Sequence, residues 1–186
     1  TFEEYVSVNG GEQWFEADDA TGPTLLEGHA APQYKVIIGN EGNVPITGIS
    51  VTDGTLTLIG CAAPFDLAVS GSKPCTATAE WSLGAHENTA SLSATYTDSV
   101  EHTSPFALSD KAHYFGARPG LSISNMVSVD EGSTWEEADT ATGPTLLQEF
   151  NPMYKIRVDN TGNVPLTISL TGDPLSLPED CAPDTL

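Results

Sequence analysis

The chain carries an internal repeat, so its fold must accommodate the same segment twice. Ala20-Thr21-Gly22-Pro23-Thr24-Leu25-Leu26 returns unchanged at residues 141–147. Val6-Ser7-Val8 recurs as Val127-Ser128-Val129 and Trp14 as Trp135, all at an offset of 121. After a one-residue deletion the offset is 120. Tyr34-Lys35 then matches Tyr154-Lys155, Gly42-Asn43-Val44-Pro45 matches Gly162-Asn163-Val164-Pro165, and Cys61-Ala62 matches Cys181-Ala182. The first copy is expected to span 1–120, and 121–186 to be the N-terminal half of a second, without the counterpart of residues 65–119.

Each copy reads as strands. No helical periodicity is present, and 13 Pro with 17 Gly interrupt the chain too often for long helices. From Cys75 to Leu83 every odd position is apolar and every even one polar, the pattern of a strand with one face in a core. Ala90, Leu92, Ala94 and Tyr96 alternate in the same way, as do Tyr34, Val36 and Ile38, and Tyr154, Ile156 and Val158 in the second copy. Turn signals such as Asn9-Gly10-Gly11, Asp53-Gly54 and Ser70-Gly71-Ser72 separate these runs. About eight short strands per copy predict an all-β fold of tandem Ig-like Greek-key sandwiches, the second incomplete. A β-barrel or a jelly roll has the same strand spacing.

Charge narrows the partners. The formal net charge of −20 repels nucleic acid and anionic membranes, and no apolar run approaches the roughly 20 residues that cross a bilayer. Neither nucleic-acid binding nor membrane insertion is expected. Cys61 and Cys75 flank a short apolar run and a turn, which places them at comparable heights on a hairpin and predicts a disulfide. Closing a loop of about 15 residues is worth ~3 kcal/mol. Such a bond belongs to an oxidising, extracellular setting. Cys181 is the counterpart of Cys61, and its partner would fall beyond residue 186, so it reads as one half of a severed pair.

The segment Val6-Ser7-Val8-Asn9-Gly10-Gly11-Glu12-Gln13-Trp14, followed by Ala17-Asp18 and Thr21-Gly22-Pro23, resembles the opening of the DUF11-related Ig-like repeats of large microbial surface proteins. Asn160-Thr161-Gly162-Asn163-Val164-Pro165-Leu166-Thr167 is similar to the internal turn motif of that family, and Cys61 to Cys75 and Tyr114-Phe115-Gly116 fit its later parts. The resemblance covers the first copy and what is present of the second. It implies a secreted, stalk-like or fibre-forming module without an active site.

Constellations of catalysis do not assemble: there is no Gly-x-Ser-x-Gly elbow, His-Glu-x-x-His helix or phosphate loop, and the four histidines are scattered. An enzyme is not expected, and no cofactor is called for. Calcium is the candidate cation, with Glu16, Asp18 and Asp19 in the first copy and Glu137 and Asp139 in the second supplying the hard oxygens it needs. A solvated acidic face accounts for the same residues. Trp14 and Trp135 lie beside turns, where they either cover one end of a sandwich or stack on a sugar ring, and Trp81 falls on the inward side of its strand.

A half copy would leave the face carrying Tyr154, Ile156, Val158, Val164, Leu166 and Ile168 without a facing sheet. The expected function is therefore structural. The chain reads as a segment of a secreted surface fibre or stalk, partnered by other copies of itself as a tandem array or homopolymer, through sandwich stacking or strand complementation. The alternative is an adhesin-type module that recognises glycan or protein through its loops, with calcium.

Overall fold

A computed structural model describes residues 1–171 and 184–185, and every regular element among them is a β-strand. The chain divides into two compact units, Thr1–Ala117 and Arg118–Leu186.

The first unit contains β1 (Phe2–Ser7), β2 (Thr24–Leu26), β3 (Gln33–Gly39), β4 (Ile46–Asp53), β5 (Phe65–Leu67), β6 (Ser72–Thr78), β7 (Gly84–Thr97) and β8 (Thr103–Ala117). They form a three-stranded sheet ordered β1-β3-β6 and a five-stranded sheet ordered β2-β8-β7-β4-β5. Neighbours are antiparallel except β2, which runs parallel to the end of β8.

Alternation decides which face of each strand is buried. Tyr34, Val36 and Ile38 point one way from β3, and Ala90, Leu92 and Ala94 one way from β7. A single core cluster draws on both sheets: Val6, Val36, Cys75 and Ala77 from the first, Leu25, Ile49, Leu67 and Tyr114 from the second. This arrangement is consistent with a β-sandwich. Gly48 sits at a register break in β4 with φ +64°, and its N–H donates to Asp66 at 2.9 Å. A bulge residue in the left-handed region favours glycine.

The alternating run from Cys75 outlasts its strand. β6 ends at Thr78, Ala79 and Trp81 still pack against the core, and Leu83 is exposed. The Trp81 indole N–H donates to the Leu25 carbonyl at 3.1 Å, which satisfies its polar edge without a ladder.

The second unit contains β9 (Leu121–Ser128), β10 (Glu136–Glu137), β11 (Met153–Asn160), β12 (Thr167–Ile168) and β13 (Asp184–Thr185). Its sheet is ordered β10-β9-β11, and β12 pairs with β13. The register repeats that of the first unit: Tyr154 lies opposite Val127 as Tyr34 lies opposite Val6. The pairing of Glu136 with Val127 likewise repeats the bridge between Phe15 and Val6. Among the described residues β11 has no second neighbour, whereas β3 has β6. Arg118 to Gly120, which the repeat offset assigns to the first copy, fold with the second unit. The Arg118 N–H donates to Asn163 Oδ1 at 2.7 Å, and the Thr161 and Asn163 N–H groups donate to Gly120 O at 3.0 Å and Arg118 O at 3.1 Å.

The two units should respond differently to truncation of their apolar faces. Ile49 is 1% exposed, so Ile49→Ala should cost about 2–5 kcal/mol, read as a lower urea midpoint of the first unit at unchanged m-value. Ile123 is 63% exposed, and Ile123→Ala should stay within about 0.5 kcal/mol.

Candidate functional site

Cys61 and Cys75 form a disulfide with their Cα atoms 5.7 Å apart. The geometry differs from a hairpin between β5 and β6. β5 pairs with β4 in the five-stranded sheet, because Leu67 points into the core from that side, while β6 belongs to the other sheet. Cys61 is brought to Cys75 by the segment before it. Ile59 and Thr76 exchange two backbone hydrogen bonds, at 2.7 and 3.0 Å, so residues near 60 run beside β6. Cys181 lies outside the described residues. A disulfide fits a non-cytoplasmic setting, and among the described residues no helix is long and apolar enough to cross a membrane.

The acidic residues singled out in the sequence all lie at the surface. Glu16, Asp18 and Asp19 are exposed and line one open groove with Phe15, Thr21 and Gly22. Glu137 on β10 and Asp139 beyond it are exposed as well. Among the described residues no group of three or more His, Cys, Asp or Glu is placed to hold a metal ion. Asp98 instead closes a turn, accepting from the N–H groups of Val100 at 2.9 Å and His102 at 2.8 Å. These bonds hold its carboxyl below the usual range.

Both turn-side tryptophans are engaged by their own chain. The Lys35 ammonium lies 4.3 Å from the centre of the Trp14 ring, and Lys155 stands at the same 4.3 Å from Trp135. The repeated Tyr-Lys pair thus supplies a repeated cation–π contact.

A buried polar network, for which alternation on β1 gave the only clue, ties the two sheets of the first unit together. Phe2, Glu4 and Val6 share the inward face of β1, so a carboxyl group enters the core. Asn88 Nδ2 on β7 donates to Glu4 Oε1 at 2.5 Å and to Asp53 Oδ2 on β4 at 2.6 Å. The Ala90 N–H donates to Glu4 Oε2 at 3.0 Å, and the Glu4 N–H donates to Asp110 Oδ2 on β8 at 2.6 Å. Burial pushes the Glu4 carboxyl up to about 7. The hydrogen bonds from Asn88 and Ala90 oppose that rise, and Asp53 and Asp110 add to it. Burial likewise raises the neighbouring Tyr34 phenol, with Tyr114 and Glu4 as further causes. The arrangement can hold a proton within the core near neutral pH.

The second unit covers only in part the face its counterpart buries: Ile156, Val158, Val164, Leu166 and Ile168 are half-buried, whereas Tyr154 is exposed. Tyr34 is 3% exposed and Tyr154 is 54% exposed; Leu121 and Ile123 on the same face of the sheet are each more than half exposed. Leu25 is 2% exposed while Leu146, in the identical heptapeptide, is 37% exposed. No family model, curated protein or solved structure matches this chain.

Two measurements test the first unit. Reducing the disulfide, or replacing both cysteines by serine, should lower its stability by about 2–5 kcal/mol in paired reduced and oxidised denaturation curves. Glu4 keeps its proton when folded over a pH range in which the unfolded carboxyl, at about 4.5, has lost it. Its contribution is therefore complete below about pH 4.5 and is lost as pH rises through about 7, a loss of about 3 kcal/mol across that window. Urea midpoints from pH 5 to 8 should show this slope, and Glu4→Gln should flatten it.

Proposed function

We propose that the chain is a structural Ig-like repeat segment of a secreted microbial surface fibre or stalk, related to the DUF11 type. In this reading, strands of the same repeat kind complete its second unit. The observation that carries this reading is the contrast between equivalent positions: Tyr34 is covered and Tyr154 is not. The first unit supplies the template for the cover, since a five-stranded sheet lies over the equivalent face there.

Two features of the second unit support assembly through that face. Its exposed apolar side chains include Leu121, Ile123 and Tyr154 on one face of the sheet. Among the described residues no second strand lies beside β11, and in this reading that side of the sheet is where strand addition takes place. The net charge of −20 works the other way and disfavours indiscriminate clustering, so association must be directed by the apolar face. In an oxidising setting the Cys61–Cys75 bond would keep the first unit closed under load.

Sedimentation velocity across a concentration series, with electron microscopy of the concentrated protein, tests assembly. Head-to-tail association and filaments are expected. The double variant Ile123→Lys/Tyr154→Lys changes two exposed side chains and should weaken association at least tenfold at unchanged melting of the first unit. A wild-type chain that stays monomeric at every concentration would sink the proposal of assembly in trans. Completion in cis would then require that appending a further half-repeat after Leu186 buries Tyr154, read from its fluorescence.

A further inference from the structure

The two repeats share a turn, and among the described residues a further backbone segment lies against only the second copy of it. In the second unit, Asn160 Nδ2 donates to Val164 O at 2.9 Å, and Gly162 N–H donates to Asn160 Oδ1 at 3.0 Å. The first unit builds the same turn, with Asn40 Nδ2 to Val44 O at 2.9 Å and Gly42 N–H to Asn40 Oδ1 at 3.1 Å. Against the second turn lies the extended segment Arg118-Pro119-Gly120, held by the three hydrogen bonds from Arg118, Thr161 and Asn163 given above. In the first turn the corresponding donors are the N–H groups of Glu41 and Asn43, and neither has an acceptor among the described residues.

The glycines say the same thing. A Cβ on Gly162 would collide with the backbone of Arg118, Pro119 and Gly120, so glycine is required there by close approach. Gly42 occupies the same position, and among the described residues a Cβ there would meet Asn40 Oδ1 at 3.2 Å and no backbone. Its φ lies outside the positive region, so conformation does not demand glycine either.

Beside the first turn is an apolar cavity of about 250 Å³, with Asn40, Gly42 and Thr1 at its mouth and Ile38, Leu92, Phe106 and Leu108 in its walls. Phe106 and Leu108 lie opposite Ala94 and Leu92 on β8, so they point to the core side, yet they are 39% and 46% exposed. Register identifies what fits. Leu121 pairs with Asn160, and Ser122 with Asp159, just as the Thr1 and Gly39 backbones bond to each other at 2.7 and 3.0 Å. A leucine one position before Thr1 would therefore pair with Asn40 and share the inward face of Phe2. That face opens on the cavity.

We infer that the turn at residues 40–44 and the apolar cavity beside it form a docking site for an extended Arg-Pro-Gly-Leu segment of the kind seen at residues 118–121, presented by another repeat of this type. Carbonyls of the segment accept from Glu41 and Asn43, its glycine passes over Gly42, and its leucine enters the cavity. By the same register Glu41, the counterpart of Thr161, faces the glycine of the segment, and Asn43, the counterpart of Asn163, faces its arginine backbone. The source of the segment rests on the repeat-array reading; the seat itself does not.

The full chain with Arg-Pro-Gly-Leu fused directly before Thr1 tests the seat. The amide that replaces the Thr1 ammonium retains the bond to Gly39 O. Relative to the unextended protein, amide exchange at Glu41 and Asn43 should slow at least tenfold, and the first unit should melt several degrees higher. An Arg-Pro-Gly-Ser extension should keep the slowed exchange and lose most of the thermal gain. Gly42→Ala should abolish both effects in the extended chain and leave the unextended chain nearly unchanged. Exchange at the two amides unaffected by the extension, or equally slowed with Gly42→Ala, would overturn the inference. Because the readout is confined to the first unit, failure of self-association through the second unit leaves this result independent.

Discussion

A β-sheet with one apolar face must have that face covered, and the rest of this protein is organised by whether the cover is present. In the first unit a five-stranded sheet closes over β1-β3-β6, and Tyr34, Val36 and Ile38 become core. In the second unit the same sequence pattern produces the same ladder between β9 and β11, yet Tyr154 remains open. Strand pairing and face covering are thus separable: the ladder needs only backbone and local turns, whereas the core needs a second layer.

Where the two layers meet, the first unit adds a polar tie to the apolar contact. Glu4 brings a carboxyl group between the sheets, and Asn88, Ala90, Asp53 and Asp110 fix its surroundings from three other strands. Burying a lone charge would cost far more than a hydrogen-bonded neutral acid, and the rise in the Glu4 pKa to about 7 is the response to that cost. The tie links β1 of one sheet to β4, β7 and β8 of the other, and the raised Glu4 pKa is the basis for the pH dependence expected of the first unit's stability.

Much of the architecture was legible in the residues because it depends on short-range geometry. Period-two runs located β3 and the central part of β7, and the spacing of Cys61 and Cys75 pointed to their bond. The turn after β1 recurs in detail: Ser7 Oγ accepts from Gly11 N–H at 2.9 Å, and Ser128 Oγ from Gly132 N–H at 2.8 Å. The buried network was not foreseen, since Glu4 resembles any outward acidic residue until Asn88 and Asp53 are brought to it from far along the chain. The route of the disulfide was also misread, because whether β5 joins β6 or β4 depends on which sheet needs Leu67. Glu16, Asp18 and Asp19 are close in sequence and line one groove, and among the described residues no group of three or more such side chains is placed to hold a metal ion.

The heptapeptide at residues 20–26 and 141–147 marks the division most directly. By itself the sequence determined the turns, the strand-forming runs, the repeat register and the staple, all of which follow from backbone sterics and side-chain alternation. Only the tertiary structure decided that Thr24–Leu26 is a strand with Leu25 buried, while the same three residues at 145–147 form no strand and leave Leu146 exposed. The physical reason is that β2 exists through its hydrogen bonds to β8, and a strand of three residues has no stability of its own without a partner.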